Sequence, residues 1–487
     1  MPTLGIVGCK DSHIDAKVAT TNPSPISMLQ NISIDPDLIR RYDRRGPRYT
    51  SYPTAAQFLT QFDHCDYRRA ALLSNANVSR NLSAYVHIPF CRSPCFYCGC
   101  NKIITRNMSD ALEYLLRLAR EIELQGQLFD RRRRMQQLHF GGGTPTYFSV
   151  AELSGILEHL DNHFNLDQSS EREFSIEIDP RTVKDETMRG LAALGFNRVS
   201  LGVQDFDRAV QVAVNREQSV SQVSDCLEQA RASGFKSVSF DLIYGLPKQT
   251  VASFSRTLDA VIQLRPDRIA AYGYAHMPQL FKAQRAIPSA ILPDTETRLQ
   301  LLRLTTQRLI DAGYVYIGMD HFALPEDTLV QAQEHGHLHR NFQGYSTRAE
   351  YDLIGLGISA IGKVGNCYAQ NAKHLTEYYR ALDANRLPIE RGVQLTTDDR
   401  VRAEVIQRLM CDGRVDFCEI EAEFALDFKE YFASELKELQ PMATDGLLEA
   451  TDKYVEVRDN GRALVRNIAM VFDAYLPGLE NRYSKAI

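Results

Sequence analysis

A parallel α/β barrel, complete or partial, followed by a mostly helical C-terminal part is the fold class this sequence predicts, and three observations predict it. From residue 84 onward, short runs rich in Val, Ile, Phe and Tyr alternate with longer stretches of helical period, the signature of βα units on a parallel sheet. Cysteines, glycines and acidic residues follow directly after the apolar runs, which places them at one end of that sheet. Beyond about residue 370 the pattern turns helical.

The predicted strands are Ala84–Phe90, Met135–Phe140, Glu173–Asp179, Arg198–Gln204, Ser237–Tyr244 and Arg268–Ala275. Helical stretches at 110–128, 150–163, 184–194, 219–233 and 250–264 lie between them, the first carrying Leu112, Leu115, Leu116, Leu118 and Ile122. A helix at Glu296–Asp311, a strand at Tyr314–Gly318 and a Gly-rich apolar segment, Leu353–Gly362, come next. The chain ends in a short strand (Tyr454–Arg458) and a helix (Arg462–Asp473), in a pattern like a winged helix. Residues 1 to about 34 read as a loose extension; with the start of the family resemblance given below as a further boundary, the chain divides into an extension (1–45), a capping segment (46–83), a barrel (84–365) and a helical domain (366–487). Arg131 to Arg134 reads as a solvated loop at the far end from the cysteines.

Composition narrows the function classes. At 487 residues with 44% hydrophobic and 24% charged residues, the chain can bury more than one core. A net charge of −5 gives no general attraction to nucleic acid or to an anionic membrane. No apolar run approaches the roughly 18 residues of a membrane span, and the basic-then-apolar pattern of a signal peptide is lacking. Ten cysteines are too sparse for a disulfide scaffold, and four of them fall between Cys91 and Cys100, which suits metal ligation in a reducing, cytoplasmic setting. Cys9, Cys65, Cys226, Cys367, Cys411 and Cys418 are scattered and read as small buried apolar side chains.

Cys91, Cys95 and Cys98 lie at spacings of four and three residues on a loop leaving a buried strand. Structural zinc wants four closed ligands, whereas a cubane held by three cysteines leaves one iron open. Cys100 could supply the fourth ligand, so spacing alone leaves both readings open. The loop Gly141-Gly142-Gly143-Thr144-Pro145 permits close backbone approach to a ligand, and Glu177 and Asp179 share one face of the third strand. His321, His335, His337 and His339 look like a metal cluster by count, and it is the family resemblance given next that implies a segment without metal and a surface or substrate-side place for them.

Tyr85-Val-His87-Ile-Pro-Phe-Cys91 with Cys95 and Cys98 resembles the signature of radical S-adenosylmethionine (SAM) enzymes. Gly141 to Tyr147, Ser175 to Pro180, Gly202 to Phe206, Val214 to Gln218, Asp241 to Pro247, His339 to Tyr345 and Cys367 to Asn371 resemble, more narrowly, the oxygen-independent coproporphyrinogen III oxidases (dehydrogenases). The likeness runs from about Gly46 to the C-terminus. Cys-Phe-Tyr-Cys stands where relatives commonly have Cys-Tyr-Phe-Cys.

The resemblance implies a partial (β/α)6 TIM-like radical SAM barrel with a mostly helical C-terminal domain. It implies one 4Fe-4S cluster on Cys91, Cys95 and Cys98, with Cys100 a non-ligand, and two molecules of S-adenosylmethionine. Tyr85, Gly142 and Glu177 match positions that hold the first molecule. Tyr97, Gly143, Thr144, Gln204, Arg216, Asp241, Ala275 and Ile361 match contacts of the second. The implied reaction is hydrogen abstraction by a 5′-deoxyadenosyl radical and oxidative decarboxylation of two propionates of coproporphyrinogen III, giving protoporphyrinogen IX. The implied partners are that tetrapyrrole and an electron donor for the cluster, with no nucleic acid and no membrane, and a monomeric state. A haem carrier or haem-degrading relative shares the cysteine motif, and a zinc-bearing winged-helix DNA binder is the non-enzymatic alternative. The Arg48–Thr54 segment and the C-terminal helices are expected to cap the barrel mouth.

Overall fold

Burial alternates along the apolar runs as the strand period requires, and seven of these strands run parallel in a single sheet. The computed structural model describes residues 32–348, 350–478 and 483; Cys9 and the first 31 residues of the expected extension lie outside them. The strands on the main sheet path are β1 (Leu82–Ile88), β2 (Arg134–Gly142), β3 (Glu173–Ile178), β4 (Arg198–Gln204), β5 (Ser237–Tyr244), β6 (Arg268–Gly273), β7 (Val315–Gly318), β8 (His321–Ala323), β9 (Asp352–Leu356), β10 (Ile361–Val364), β11 (Cys367–Asn371) and β12 (Ile389–Gln394). Their spatial order is β7-β8-β6-β5-β4-β3-β2-β1-β9-β10-β11-β12, with Asn165–Leu166 paired beside β2. β1 to β6 are parallel neighbours in chain order, β9 adds a further parallel strand beside β1, Asn165–Leu166 runs parallel to β2, and the remaining pairs on the main path are antiparallel. β7 and β12 are not paired to each other, so the barrel is open.

Helices α1 (Met108–Gly126), α2 (Val150–His163), α3 (Thr187–Ala193), α4 (Val220–Ala232), α5 (Val251–Leu264) and α6 (Thr295–Asp311) connect or follow these strands. Their starts are written locally. Ser149, Ser219 and Thr250 cap α2, α4 and α5 and complete reciprocal capping boxes with Glu152, Gln222 and Ser253. The buried face of α1 carries Tyr114, Leu118, Glu121 and Ile122, while Leu112 and Leu116 point to solvent, so only part of the expected apolar stripe is core.

Three further expectations differ from the structure. The sheet runs past residue 365 through β11 and β12, in a stretch expected to be helical, because those strands complete an antiparallel edge with β10. Arg133 is not solvated: its side chain is fully buried and pairs with Asp352, while Arg131, Arg132 and Arg134 remain exposed. Cys226, Cys367 and Cys411 are buried, but Cys65 and Cys418 are exposed.

A second core holds the C-terminal region together. Helix Thr397–Cys411, helix Ala433–Thr444 and the three-stranded sheet of Arg414–Asp416, Tyr454–Val457 and Leu448–Ala450 pack around Val405, Leu409, Phe428, Phe432 and Ile468. Ile39, Tyr42, Tyr49 and Tyr52 from the N-terminal segment belong to this core. Tyr49 Oη donates to Asp473 at 2.9 Å, and Asn467 Nδ2 donates to the Tyr42 carbonyl at 2.7 Å. Among the described residues no helix is long and apolar enough to cross a membrane.

Glu121 is the one wholly buried carboxylate on α1. It accepts from Tyr378 Oη at 2.6 Å, Asn371 Nδ2 at 2.6 Å and Gly357 N at 2.7 Å. Burial outweighs these donors and pushes its carboxyl up to about 7. The folded state therefore holds a proton that the unfolded chain releases near pH 4.5, so native stability declines as pH rises from about 4.5 through 7. The full effect is about 3 kcal/mol. The difference in urea-unfolding free energy between wild type and Glu121→Gln should change by this order between pH 5 and pH 8; parallel pH profiles would refute it.

Candidate active site

The cysteine loop is clamped on both flanks. Phe90–Cys91 pairs with Ile103–Ile104, Phe96 N donates to the Val214 carbonyl at 3.0 Å, and Asn215 Nδ2 donates to the Pro94 carbonyl at 2.6 Å. Asn215 adopts a positive φ of 54° to make this turn. Three cations face the loop: Arg216 Nη1 and Arg181 Nη2 lie 3.6 and 3.8 Å from Cys95 Sγ, and Lys102 Nζ donates to the Cys98 carbonyl at 2.9 Å. A hydrogen bond from Cys100, with Lys102 nearby, pulls the Cys98 thiol down, whereas burial pushes the Cys91 thiol up to about 11 despite its contact with Thr144 Oγ1 at 3.4 Å. At Cys98 these surroundings favour the thiolate, the form that binds metal.

The glycine loop behaves differently from its sequence reading. A Cβ on Gly141 would lie 2.8 Å from the Glu177 carboxylate, one on Gly142 would strike the His87 ring at 2.5 Å, and one on Gly143 would strike the Pro89 backbone at 2.6 Å. The close approach is thus to the protein itself. Gly142 N donates to Glu177 Oε2, Gly143 N to the Ile88 carbonyl and Thr144 N to the Phe90 carbonyl. With these N–H groups committed, acceptor atoms remain for a bound ammonium. Burial would raise the Glu177 carboxyl, but His139 at 3.1 Å and Gly142 N hold it below its ordinary value.

Opposite lies a buried ion pair. Arg216 Nη1 meets Asp179 Oδ2 at 3.0 Å and Nη2 donates to the Gly202 carbonyl at 2.6 Å, while its buried Nε has no partner among the described residues. Such an orphaned donor suits an incoming carboxylate. Gly202 is required here, since a Cβ would lie 2.8 Å from Arg216 Nη2. One residue further, the β4–β5 register shifts between Gly202 and Gln204, and Gln204 takes a φ of 66°. Bulges and left-handed non-glycine residues of this sort turn side chains toward sites. Asp241 accepts from Ser200 Oγ at 3.0 Å, and burial beside Glu177 pushes it up to about 7.

All of these groups open onto one cavity of about 500 Å³ at the carboxyl ends of β2 to β5. Cys91, Cys95, Cys98, Tyr97, Gly142, Gly143, Thr144, Glu177, Gln204, Arg216 and Asp241 line it, as does Cys100. Tyr85, Ala275 and Ile361 lie outside this lining. Tyr85 stacks on His139, and the Ala275 carbonyl shares the amide of Gln284 with the Tyr97 carbonyl. His335 and His337 are exposed, whereas His321 and His339 are partly buried. Sequence reasoning missed Arg181, Lys102 and Tyr272, which also line the cavity. Lys102 stood in the Cys-Gly-Cys-Asn-Lys stretch; nothing local marked Arg181 or Tyr272.

The four cysteines of the loop line one cavity. Sulfurs around tetrahedral zinc lie about 3.8 Å apart, given a bond of about 2.3 Å. Among the described residues, the group of three or more ligating side chains whose donor atoms all lie within 4.8 Å of one another is Asp63–His64–Cys65, at the surface. The identity of the metal at the cavity cysteines follows from the family to which the chain belongs.

Comparisons with known proteins agree with this geometry. Residues 85–261 match the family model of the Radical SAM superfamily, and residues 395–464 match the HemN C-terminal domain. Oxygen-independent coproporphyrinogen III oxidase of Pseudomonas aeruginosa is 49% identical over 94% of this chain and 100% of its own length. That of Escherichia coli is 47% identical over 92% of this chain and 97% of its own. The solved structure of coproporphyrinogen III oxidase (HemN) from Escherichia coli, a radical SAM enzyme, superposes with a TM-score of 0.87 at 46% identity, covering 92% of this chain and 100% of that one. The family implies a 4Fe-4S cluster and S-adenosylmethionine. From an open barrel, clustered thiols and likeness over nearly the whole length, the chain belongs to the oxygen-independent coproporphyrinogen III oxidase family of the radical SAM superfamily.

Proposed function

We propose that this chain converts coproporphyrinogen III to protoporphyrinogen IX without oxygen. The observation that carries the reading is the convergence of the Cys91, Cys95 and Cys98 thiols, Glu177 and Arg216 on one cavity. Cys91, Cys95 and Cys98 would hold the cluster, and Cys100, although it lines the same cavity, would not. When bound, the cluster and S-adenosylmethionine supply one-electron chemistry able to take a hydrogen atom from an unactivated carbon. Each conversion removes one hydrogen atom, one carbon dioxide and one electron from a CH2–CH2–COO⁻ arm and leaves CH=CH2.

The protein's own contribution is positioning and exclusion of water. Glu177 and the acceptor atoms of the glycine loop suit the ammonium of the first S-adenosylmethionine, beside Tyr85. Asp241, Arg216, Gln204, Thr144, Gly143, Tyr97, Ala275 and Ile361 are the positions assigned to a second molecule, with the free Arg216 Nε suited to a carboxylate. The cavity walls and the N-terminal segment keep the reacting atoms close and dry. A cytoplasmic monomer supplied by an electron donor for the cluster completes the reading.

The test is an anaerobic assay with dithionite, S-adenosylmethionine and coproporphyrinogen III. It should yield protoporphyrinogen IX together with 5′-deoxyadenosine. Formation of neither product rejects the oxidase, and tight haem binding without vinyl formation would point to a haem carrier.

A further inference from the structure

Tyr272 forms a wall of the cysteine cavity, and arginines lie beyond it. The Arg48 guanidinium lies 5.7 Å from the Tyr272 ring centroid, and the Arg48 carbonyl accepts from Arg340 Nε at 3.3 Å. Arg340 in turn stands 4.8 Å from the Tyr345 ring. Arg466, on the short C-terminal helix Val465–Ala469, is 2% exposed. Its three guanidinium nitrogens, and Nη1 of Arg340, have no hydrogen-bond partner among the described residues.

The three arginines come from the N-terminal segment, the hairpin at 339–346 and the C-terminal helix, and they meet over a barrel wall. Acidic compensation is thin. Asp320 pairs with Arg48, and Asp43 offsets Arg466 only in part, since burial and the charge of Arg48 bring Arg466 down to about 9. It remains protonated at neutral pH. An unpaired buried guanidinium such as that of Arg466 is strongly unfavourable, and with the unpartnered Nη1 of Arg340 it implies an anion that arrives from outside. The guanidinium fork matches a carboxylate in two parallel hydrogen bonds, and the aromatic faces of Tyr272 and Tyr345 suit pyrrole rings.

We propose that Arg466 and Arg340, assisted by Arg48, form a subsite for the carboxylates of the propionate arms that are not reacting. The inference rests on the tetrapyrrole reading above and names its recognition residues. The substrate carries four propionates and one reacts at a time, so the others need partners while the reacting arm turns toward the cavity. The subsite also selects: a porphyrin with fewer carboxylates loses part of this pairing.

The experiment uses the full chain and two stable porphyrins, coproporphyrin III with four carboxylates and mesoporphyrin IX with two, titrated by fluorescence quenching. Arg466→Met and Arg340→Met should each weaken coproporphyrin binding at least about tenfold, weaken mesoporphyrin binding less, and leave S-adenosylmethionine binding unchanged. Removing an unpaired buried charge should also leave the ligand-free melting temperature equal or higher, which a purely structural arginine would not do. Arg466→Lys, which keeps the charge and loses the fork, should fall between. Unchanged coproporphyrin affinity, or a lower melting temperature with equal loss for both porphyrins, overturns the subsite. If wild type makes protoporphyrinogen IX while the variants bind normally, the subsite fails and the enzyme reading stands. A wild type that neither binds nor converts the substrate removes both.

Discussion

Cys95→Ser should purify without its iron and lose turnover by at least about a thousandfold, whereas Cys100→Ser should keep its iron content. Cys95 is the thiol most heavily flanked by cations, with Arg216 and Arg181 both within 4 Å of its sulfur. Serine keeps the volume but cannot supply a thiolate, and those two guanidiniums would face a neutral hydroxyl. Cys100 shares the cavity but is exposed and stands outside the spacing that Cys91, Cys95 and Cys98 make. Iron and sulfide analysis of anaerobically purified variants reads this directly. Equal iron loss in the two variants would make Cys100 a fourth ligand and close the open position on which the reading depends.

Arg133→Met should destabilise the fold by about 3–5 kcal/mol, a large share of an ordinary domain's total. Arg133 and Asp352 side chains are 0% and 3% exposed and meet at 2.5 Å. The substitution leaves the carboxylate buried, with Gly365 N at 2.8 Å and the half-exposed Arg80 at 3.5 Å as its remaining partners. Arg133 also donates to the Arg80 carbonyl and Ser74 Oγ, so the pair fastens the entry of β2 to that of β9 on either side of β1. Urea unfolding checks it, together with Arg133→Met/Asp352→Asn, which should recover part of the loss. A cost under about 1 kcal/mol for the single change would show that water reaches the carboxylate.

These two sites mark how far the sequence can be read. Cys91, Cys95 and Cys98 are legible because their chemistry is written in eight consecutive residues. β4 and β5 are legible because β-branched and aromatic residues alternate between clear stops, and their predicted bounds match. Arg133 was not, because its partner is 219 residues away and its three basic neighbours are solvated. β11 and β12 were missed for a related reason: they are strands by virtue of pairing across the sheet edge. Arg181 and Tyr272 reach the cavity only through the curvature of the barrel, which no local pattern encodes. Leu112 and Leu116 show the converse error, where apolar character was read as burial without fixing the phase of the helix.

The anchoring of the ligand loop ties the metal site to distant parts of the chain. The loop is pinned by the Pro94 and Val214 carbonyls and by pairing with Ile103–Ile104, contacts that need no metal. The positions of the three thiols are thereby tied to both flanks, so a change at Asn215 or in Ile103–Ile104 should displace the ligands without touching a cysteine.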